Sequence, residues 1–235
     1  MGRDDASHPR SVMRIPEGWL STECIQAALG APPRGVGIPV LKQPWLDRTL
    51  ARAHPAFPLT FYGPVAFVVL VAVRRPDALL SRLASFFGGW LVWTLVEYFV
   101  HRVVFHMRFA DTRDGKVAGF LMHGYHHQYP RDPSRLVLPP LVSLPLALVH
   151  FLVTHFVLGG GVFDAGLSGF LAGYVAYDTV HYVVHHTKKT TGVTGWMRRY
   201  HLLHHHDQEP GRYGVSSPLW DLVFGTFQDA RRTKR

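Results

Sequence analysis

The chain has 235 residues, 47% of them hydrophobic and only 17% charged, which is enough apolar material for one domain with a sizeable core. A net charge of +9 admits an anionic partner, but no nucleic-acid motif is present and the basic residues flank apolar segments, which favours a membrane surface over nucleic acid. The single cysteine, Cys24, excludes an internal disulfide framework and any cysteine-based zinc or iron–sulfur site.

Residues 1–57 are rich in proline and glycine and have no long apolar run. Met1 to Pro16 is polar and lacks an apolar h-region, so no cleaved secretory signal is expected there. Trp19 to Leu29 and residues 45–54 are expected to form short amphipathic helices, in an extension lying along the membrane surface.

Four apolar segments follow, at about Pro58 to Val73, Leu83 to Phe105, Leu136 to Leu158 and Val162 to Val184. A helix needs roughly 20 residues to cross a bilayer; the last three meet that length and the first is marginal. A soluble bundle of very apolar helices is the competing architecture. The third segment argues against it, because Leu136 to Leu158 contains no Asp, Glu, Lys or Arg. Pro139, Pro140 and Pro145 are expected to start or kink that helix. The expected fold is therefore all-α and integral to the membrane, with residues 58–230 as the membrane domain and 231–235 as a basic tail.

Charge then orients the spans. Four crossings put both termini and the 106–135 connector on one side, with Arg102, Arg108, Arg113, Lys116, Arg131, Arg135, Lys188, Lys189, Arg198 and Arg199. The other side holds Arg74, Arg75 and Arg82 in one loop, and no Lys or Arg in Gly159–Gly161. The positive-inside rule places the richer side in the cytoplasm.

That side also gathers the histidines. Twelve of the sixteen fall in four clusters: His101 with His106; His123, His126 and His127; His181, His185 and His186; and His201, His204, His205 and His206. Neutral imidazole is the commonest metal ligand among side chains, and about ten of them exceed what one ion can use. Two metal ions at a membrane surface are expected. His181 and His185 share a helix face by their spacing of four. The triplets 123/126/127 and 201/204/205 are each expected to present three nitrogens in one direction from a single turn. His106, five after His101, lies about 140° off its face in a regular helix. Either the helix loosens there or the two serve different ions. Glu97, Asp178, His101 and His181 lie in or beside apolar spans, where ionisable groups are costly and usually functional. Asp178 is expected to accept from an imidazole and fix its tautomer. His8, His54, His150 and His155 stand alone, and His150 and His155 are read as packing residues; His206 lies off its cluster's face. All-imidazole sites suit iron, copper, nickel or zinc, and zinc can replace iron in a purified sample.

The surroundings of the clusters resemble the fatty acid 2-hydroxylase branch of the fatty acid hydroxylase/sterol desaturase superfamily. The likeness rests on Glu97-Tyr-Phe-Val-His101-Arg102, on His123-Gly-Tyr-His126-His127-Gln-Tyr-Pro130, on Asp132-Pro-Ser-Arg135-Leu-Val-Leu-Pro-Pro140, on Gly173 to Tyr182, on Tyr200 to His205 and on Gly214 to Thr226. It implies four transmembrane helices under a cytosolic, histidine-rich helical cap. The cap would hold two metal ions, iron for activity, which with O2 hydroxylate C2 of a long acyl chain such as a fatty acid or a ceramide acyl group. The implied ligands are His101, His106, His123, His126, His127, His181, His185, His201, His204 and His205; Glu97 and Asp178, from their place in or beside apolar spans, are the candidate catalytic carboxylates. Tyr125, Arg135, Tyr177 and Trp220 are candidates for shaping the substrate pocket. Residues 1–57 are too short for the cytochrome b5 domain of many eukaryotic members and lack its His-Pro-Gly-Gly pattern. Electrons are thus expected from a separate donor, a cytochrome b5 or a ferredoxin-like protein. A sterol or carotenoid oxidase of the same superfamily is the nearest alternative, and a non-redox zinc hydrolase or a transporter a more distant one.

Overall fold

The structure, a computed structural model, describes residues 17–31, 37–72, 79–157, 162–207 and 210–229. The polar start, the Arg74–Arg75 pair, the Gly159–Gly161 loop and the basic tail lie outside them. The regular elements among the described residues are all helices, apart from one isolated bridge between Leu20 and Leu41.

Two short helices come first, α1 (Thr22–Ala28) and α2 (Pro44–Leu50). The Ser21 hydroxyl accepts from the Cys24 N–H and caps α1. A wide π-type turn, Pro58–Tyr62, leads into α3 (Gly63–Ala72). Helix α4 (Leu79–Phe99) runs on through a second wide turn, Val100–Phe105. The cap is built from α5 (Arg113–Gly119), a third wide turn (Phe120–Gly124) and α6 (Tyr125–Gln128). Helix α7 (Pro140–Leu152) starts on its proline pair and carries Pro145 inside. The long α8 (Val162–His186), α9 (Gly192–His206) and the short α10 (Leu219–Val223) complete the chain.

Leu79–Phe105 and Pro140–Val157 are both long and apolar enough to cross a membrane, whereas Pro58–Ala72 is shorter. Only 11% and 6% of their most apolar windows are buried inside the protein. A soluble core helix would hide that surface. Here Phe67, Val68, Leu80, Phe87, Leu91, Leu148, Val149, Phe156 and Val157 all face outward. An apolar exterior of this extent calls for lipid.

Helix α8 is the axis, and glycine lets α4 come close to it. A Cβ on Gly89 would stand 1.9 Å from the Gly166 carbonyl oxygen, and one on Gly169 would stand 1.8 Å from that of Phe86. Small residues allow such backbone approach where packing, rather than water exclusion, drives helix association. Two hydroxyls add polar contacts between helices: Tyr62 donates to Ser143 (3.0 Å) and Ser168 to the Ala66 carbonyl (2.6 Å). Trp93, Phe170, Tyr174, Tyr177 and Tyr62 fill the core between α3, α4 and α8.

The described part of residues 1–57 packs onto the cap. Cys24, Ala27 and Ile38 form a second core with Phe120 and Tyr125. Asp47 clasps the two parts: it accepts from Arg135 at 2.7 and 2.8 Å, from Arg52 at 2.7 Å, and from the backbone N–H groups of Val40 and Leu41.

Candidate metal centre

At the cap end of α4 and α8 the imidazoles collect into two adjoining groups. One holds His126, His181, His185, His201 and His205; the other holds His101, His106, His123 and His204. Within each group one nitrogen from every ring lies within 4.8 Å of the rest. His127 sits between them, its ring 4.2 Å from His205 and 4.7 Å from His123, with Nε2 buried and without a protein partner.

Local helix geometry makes this division. His181/His185 and His201/His205 are i, i+4 pairs, and each pair serves the first group. His101 and His106 are five apart and serve the second group together, because the helix loosens: the wide turn at Val100–Phe105 brings their rings to 5.2 Å. The triplets do not present three nitrogens to one point. His126 and His201 join the first group while His123 and His204, three residues away, join the second. On a helix, i+3 and i+4 lie about 100° apart in direction, so a His-x-x-His-His run faces two ways.

The nitrogens fit metal ions better than hydrogen bonds. His201 Nε2 lies 3.1 Å from His181 Nε2, 2.9 Å from His185 Nε2 and 3.1 Å from His205 Nε2, and His181 Nε2 lies 3.0 Å from His126 Nε2. A ring nitrogen has one proton or one lone pair and cannot serve three partners. Two nitrogens each about 2.1 Å from an ion and at right angles to one another lie about 3.0 Å apart. In the second group the Nε2 atoms of His101 and His123 are buried without a protein partner, and His106 Nε2 lies 3.0 Å from His204 Nε2.

These rings are neutral at physiological pH. Burial, reinforced by the charge each ring would place on its neighbours, holds His123, His126 and His201 well below the usual imidazole value, and His127 at about 3. A neutral imidazole is the form that ligates a metal.

The second group has a feature that the sequence reading missed. His101 Nδ1 lies 2.6 Å from the Tyr213 carbonyl, and His204 Nδ1 lies 2.9 Å from that of Gly211. A carbonyl only accepts, so both Nδ1 atoms carry the proton and both Nε2 atoms offer lone pairs. Asp221 holds this loop by accepting from Tyr213 N–H (2.9 Å) and Gly214 N–H (2.7 Å). Glu97 holds it further on, accepting from Val215 N–H (2.7 Å), Ser216 N–H (2.8 Å) and the Ser216 hydroxyl. The acidic Asp221, next to Trp220 in a helix too short to show periodicity, gave little sign of this role.

Several of the expected site residues have other partners. Glu97 and Asp178 belong to neither group. Glu97 is spent on the loop. Asp178 Oδ2 accepts from the Leu138 N–H at 3.3 Å and its Oδ1 has no hydrogen-bond partner, so it does not orient an imidazole. Arg135 donates to Asp47, the Ala51 carbonyl and the Ile38 carbonyl. Tyr125 donates to Asp132 (2.6 Å) beneath Arg135, and Trp220 donates to Thr94 (2.9 Å). Tyr177 remains beside the imidazoles, its ring 5.6 Å from His181. His186 stacks on Tyr182, and His150 on Phe170.

The fatty acid hydroxylase family model matches residues 86–226, the stretch that supplies every ring of both groups. The chain belongs to the fatty acid hydroxylase family. It is 36% identical over 180 residues to the dihydroceramide fatty acyl 2-hydroxylase FAH1 of Arabidopsis thaliana, covering 77% of this chain and 76% of that one. It is 39% identical to the ceramide very long chain fatty acid hydroxylase scs7 of Schizosaccharomyces pombe, covering 80% of this chain and 52% of that one. The solved structure described as full-length scs7p with only its hydroxylase domain visible superposes with a TM-score of 0.76 at 29% identity, over 89% of this chain and 79% of that one. This hydroxylase is accordingly an oxidoreductase with histidine groups that can hold metal.

Proposed function

We propose that the protein hydroxylates C2 of a long acyl chain, in a free fatty acid or a ceramide, within a membrane. The observation that carries this reading is the pair of adjoining, neutral imidazole groups at the end of helices whose outer surface is apolar. The acyl 2-hydroxylase names of the relatives support the substrate class.

His126, His181, His185, His201 and His205 would hold one metal ion; His101, His106, His123 and His204 would hold the second, with His127 between them. Two bound ions, iron in this reading, would supply the activation of dioxygen and the oxidising power to break a C–H bond. The chain's own residues do the rest. The carbonyls of Tyr213 and Gly211 keep His101 and His204 in the tautomer that offers Nε2. Glu97 and Asp221 act as positioning residues through that loop. Tyr177, packed against Trp93 and His181, would be the side chain of the apolar core nearest the reacting carbon. Positional selectivity follows from where the head group stops the chain.

In the same reading all four apolar segments span the bilayer, with the histidine cap and both termini in the cytoplasm, because basic residues concentrate on that side. Electrons come from a separate carrier.

Mass spectrometry of hydrolysed lipids from cells expressing the chain, beside a His126→Ala control, tests the reaction. A 2-hydroxy acid made only by the intact chain, and only in oxygen, is the expected result. A desaturated product, or oxygen on a sterol or carotenoid, would move the assignment to another oxidase of the superfamily. A cleaved lipid formed without oxygen, with no hydroxylated product, would point to a hydrolase.

A further inference from the structure

Beside the first imidazole group the surface sinks into a cavity of about 410 Å³, lined by Arg131, His185, His186, Lys188 and Arg198 with Thr187 and Thr190. Among the described linings three are cationic and none is acidic. The sequence keeps it so: Lys188, Lys189, Arg198 and Arg199 fall in a stretch, residues 179–206, that contains no Asp or Glu. Arg198 is fixed in place by donating from Nε to the Thr187 carbonyl at 3.1 Å. His185 is the ring of the first group that reaches this cavity, and its Nε2 lies 2.9 Å from that of His201 at the centre of the group. The opposite ends of the other four rings, the Nδ1 atoms of His126, His181, His201 and His205, are sealed from solvent. The cavity is therefore a place where the outside comes within one imidazole of the first metal position; His205, partly exposed, is the other ring of the group near solvent.

Hydroxylation by dioxygen requires electrons from outside. Written in balance, R–H + O2 + 2 e⁻ + 2 H⁺ gives R–OH + H2O: the C–H and O–O bonds break, a C–O bond forms, the second oxygen atom leaves as water, and two molecules of a one-electron carrier are each oxidised by one electron. We infer that the basic rim of Arg131, Lys188, Lys189, Arg198 and Arg199 is the docking surface for an acidic one-electron carrier protein, with His185 as the point of electron entry. This inference rests on the hydroxylase reading. The argument for the occupant is charge complementarity, which steers encounter and sets register at a rim of this kind.

The test uses the full chain in detergent or nanodiscs, an acyl substrate, and soluble cytochrome b5 with its reductase as the probe donor. Dithionite-driven single turnover supplies electrons without docking. Arg131→Glu and the double variant Lys188→Glu/Lys189→Glu alter exposed or half-exposed side chains that ligate nothing. The expected result is an apparent KM for the donor raised about tenfold, with a weaker salt dependence, since rim charges act mainly on association; dithionite turnover and acyl-substrate KM stay unchanged. Active variants whose donor KM and salt dependence match the unaltered chain would overturn the docking surface alone. So would variants that lose only binding to vesicles containing anionic lipid, because the rim would then be a lipid contact. If the unaltered chain forms no product with either reductant, the hydroxylase reading falls and the docking surface falls with it.

Discussion

The two imidazole groups are built by different means. In the second, the tautomers of His101 and His204 are set by the carbonyls of Tyr213 and Gly211, on a loop hung from Glu97 and Asp221. In the first, the Nδ1 atoms of His126, His181, His201 and His205 are buried with no partner at all. Their protons are placed by exclusion, because Nε2 atoms packed about 3 Å apart cannot all carry hydrogens. A buried donor without an acceptor costs about 1–3 kcal/mol. The first group thus has no protein partner to set its tautomers, whereas in the second the carbonyls set two rings, although the Nε2 atoms of His101 and His123 there also lack a protein partner.

The largest effect that separates them is expected from His201→Ala. It removes the ring at the centre of the first group, so metal per chain should fall by about half, with 2-hydroxylation abolished. Elemental analysis and lipid mass spectrometry read the two consequences. Complete loss of metal would mean that the groups are one coupled site.

Chelation should next show how far the fold depends on ions held by the two groups. Metal binding to the folded state alone stabilises by about 2.7 kcal/mol at a hundredfold excess over Kd, so removing it should lower Tm by several degrees in calorimetry. The stripped protein should also be acid-sensitive. The folded chain holds His123, His126, His127 and His201 neutral by burial, whereas the unfolded chain binds protons near pH 6.5. Below that value the unfolded state carries more protons. The stability contributed by these rings is therefore complete above about pH 6.5 and is lost as pH falls. A stripped protein equally stable at pH 5 and pH 8 would contradict neutral burial.

Asp221→Asn should weaken the second group selectively. It loosens the loop that orients His101 and His204, and partners of this kind are worth about 10–100-fold in metal affinity. Competition with a chelator should become biphasic, one ion leaving early. Uniform release of both ions would show that the loop does not discriminate between the groups.

Arg135→Ala should have the smallest effect on catalysis. Removing one partner of a buried ion pair usually costs 3–5 kcal/mol; with Arg52 still on Asp47 we expect about 2–3 kcal/mol. Thermal stability should drop while the KM for the acyl substrate holds. A raised KM with unchanged stability would return Arg135 to the substrate pocket.

The sequence alone determined that the chain is helical, that its helices are apolar enough for lipid, and that about ten imidazoles meet at one end. Those properties depend on run length, composition and spacing, which are local. It could not show how the clusters divide. A choice between His123 and His126, or between His201 and His204, depends on which neighbouring helix each faces, and the pairing of His101 with His106 depends on a wide turn that no spacing rule specifies. Nor could it assign the isolated polar residues. Glu97, Asp178 and Arg135 stood out because a charge in apolar surroundings needs a partner, but the partner lies in a distant part of the chain: the 213–217 loop for Glu97, Leu138 for Asp178, Asp47 for Arg135. Sequence shows that a buried charge must be satisfied; only the packed structure decides which group satisfies it, and hence whether the residue serves the chemistry or the fold.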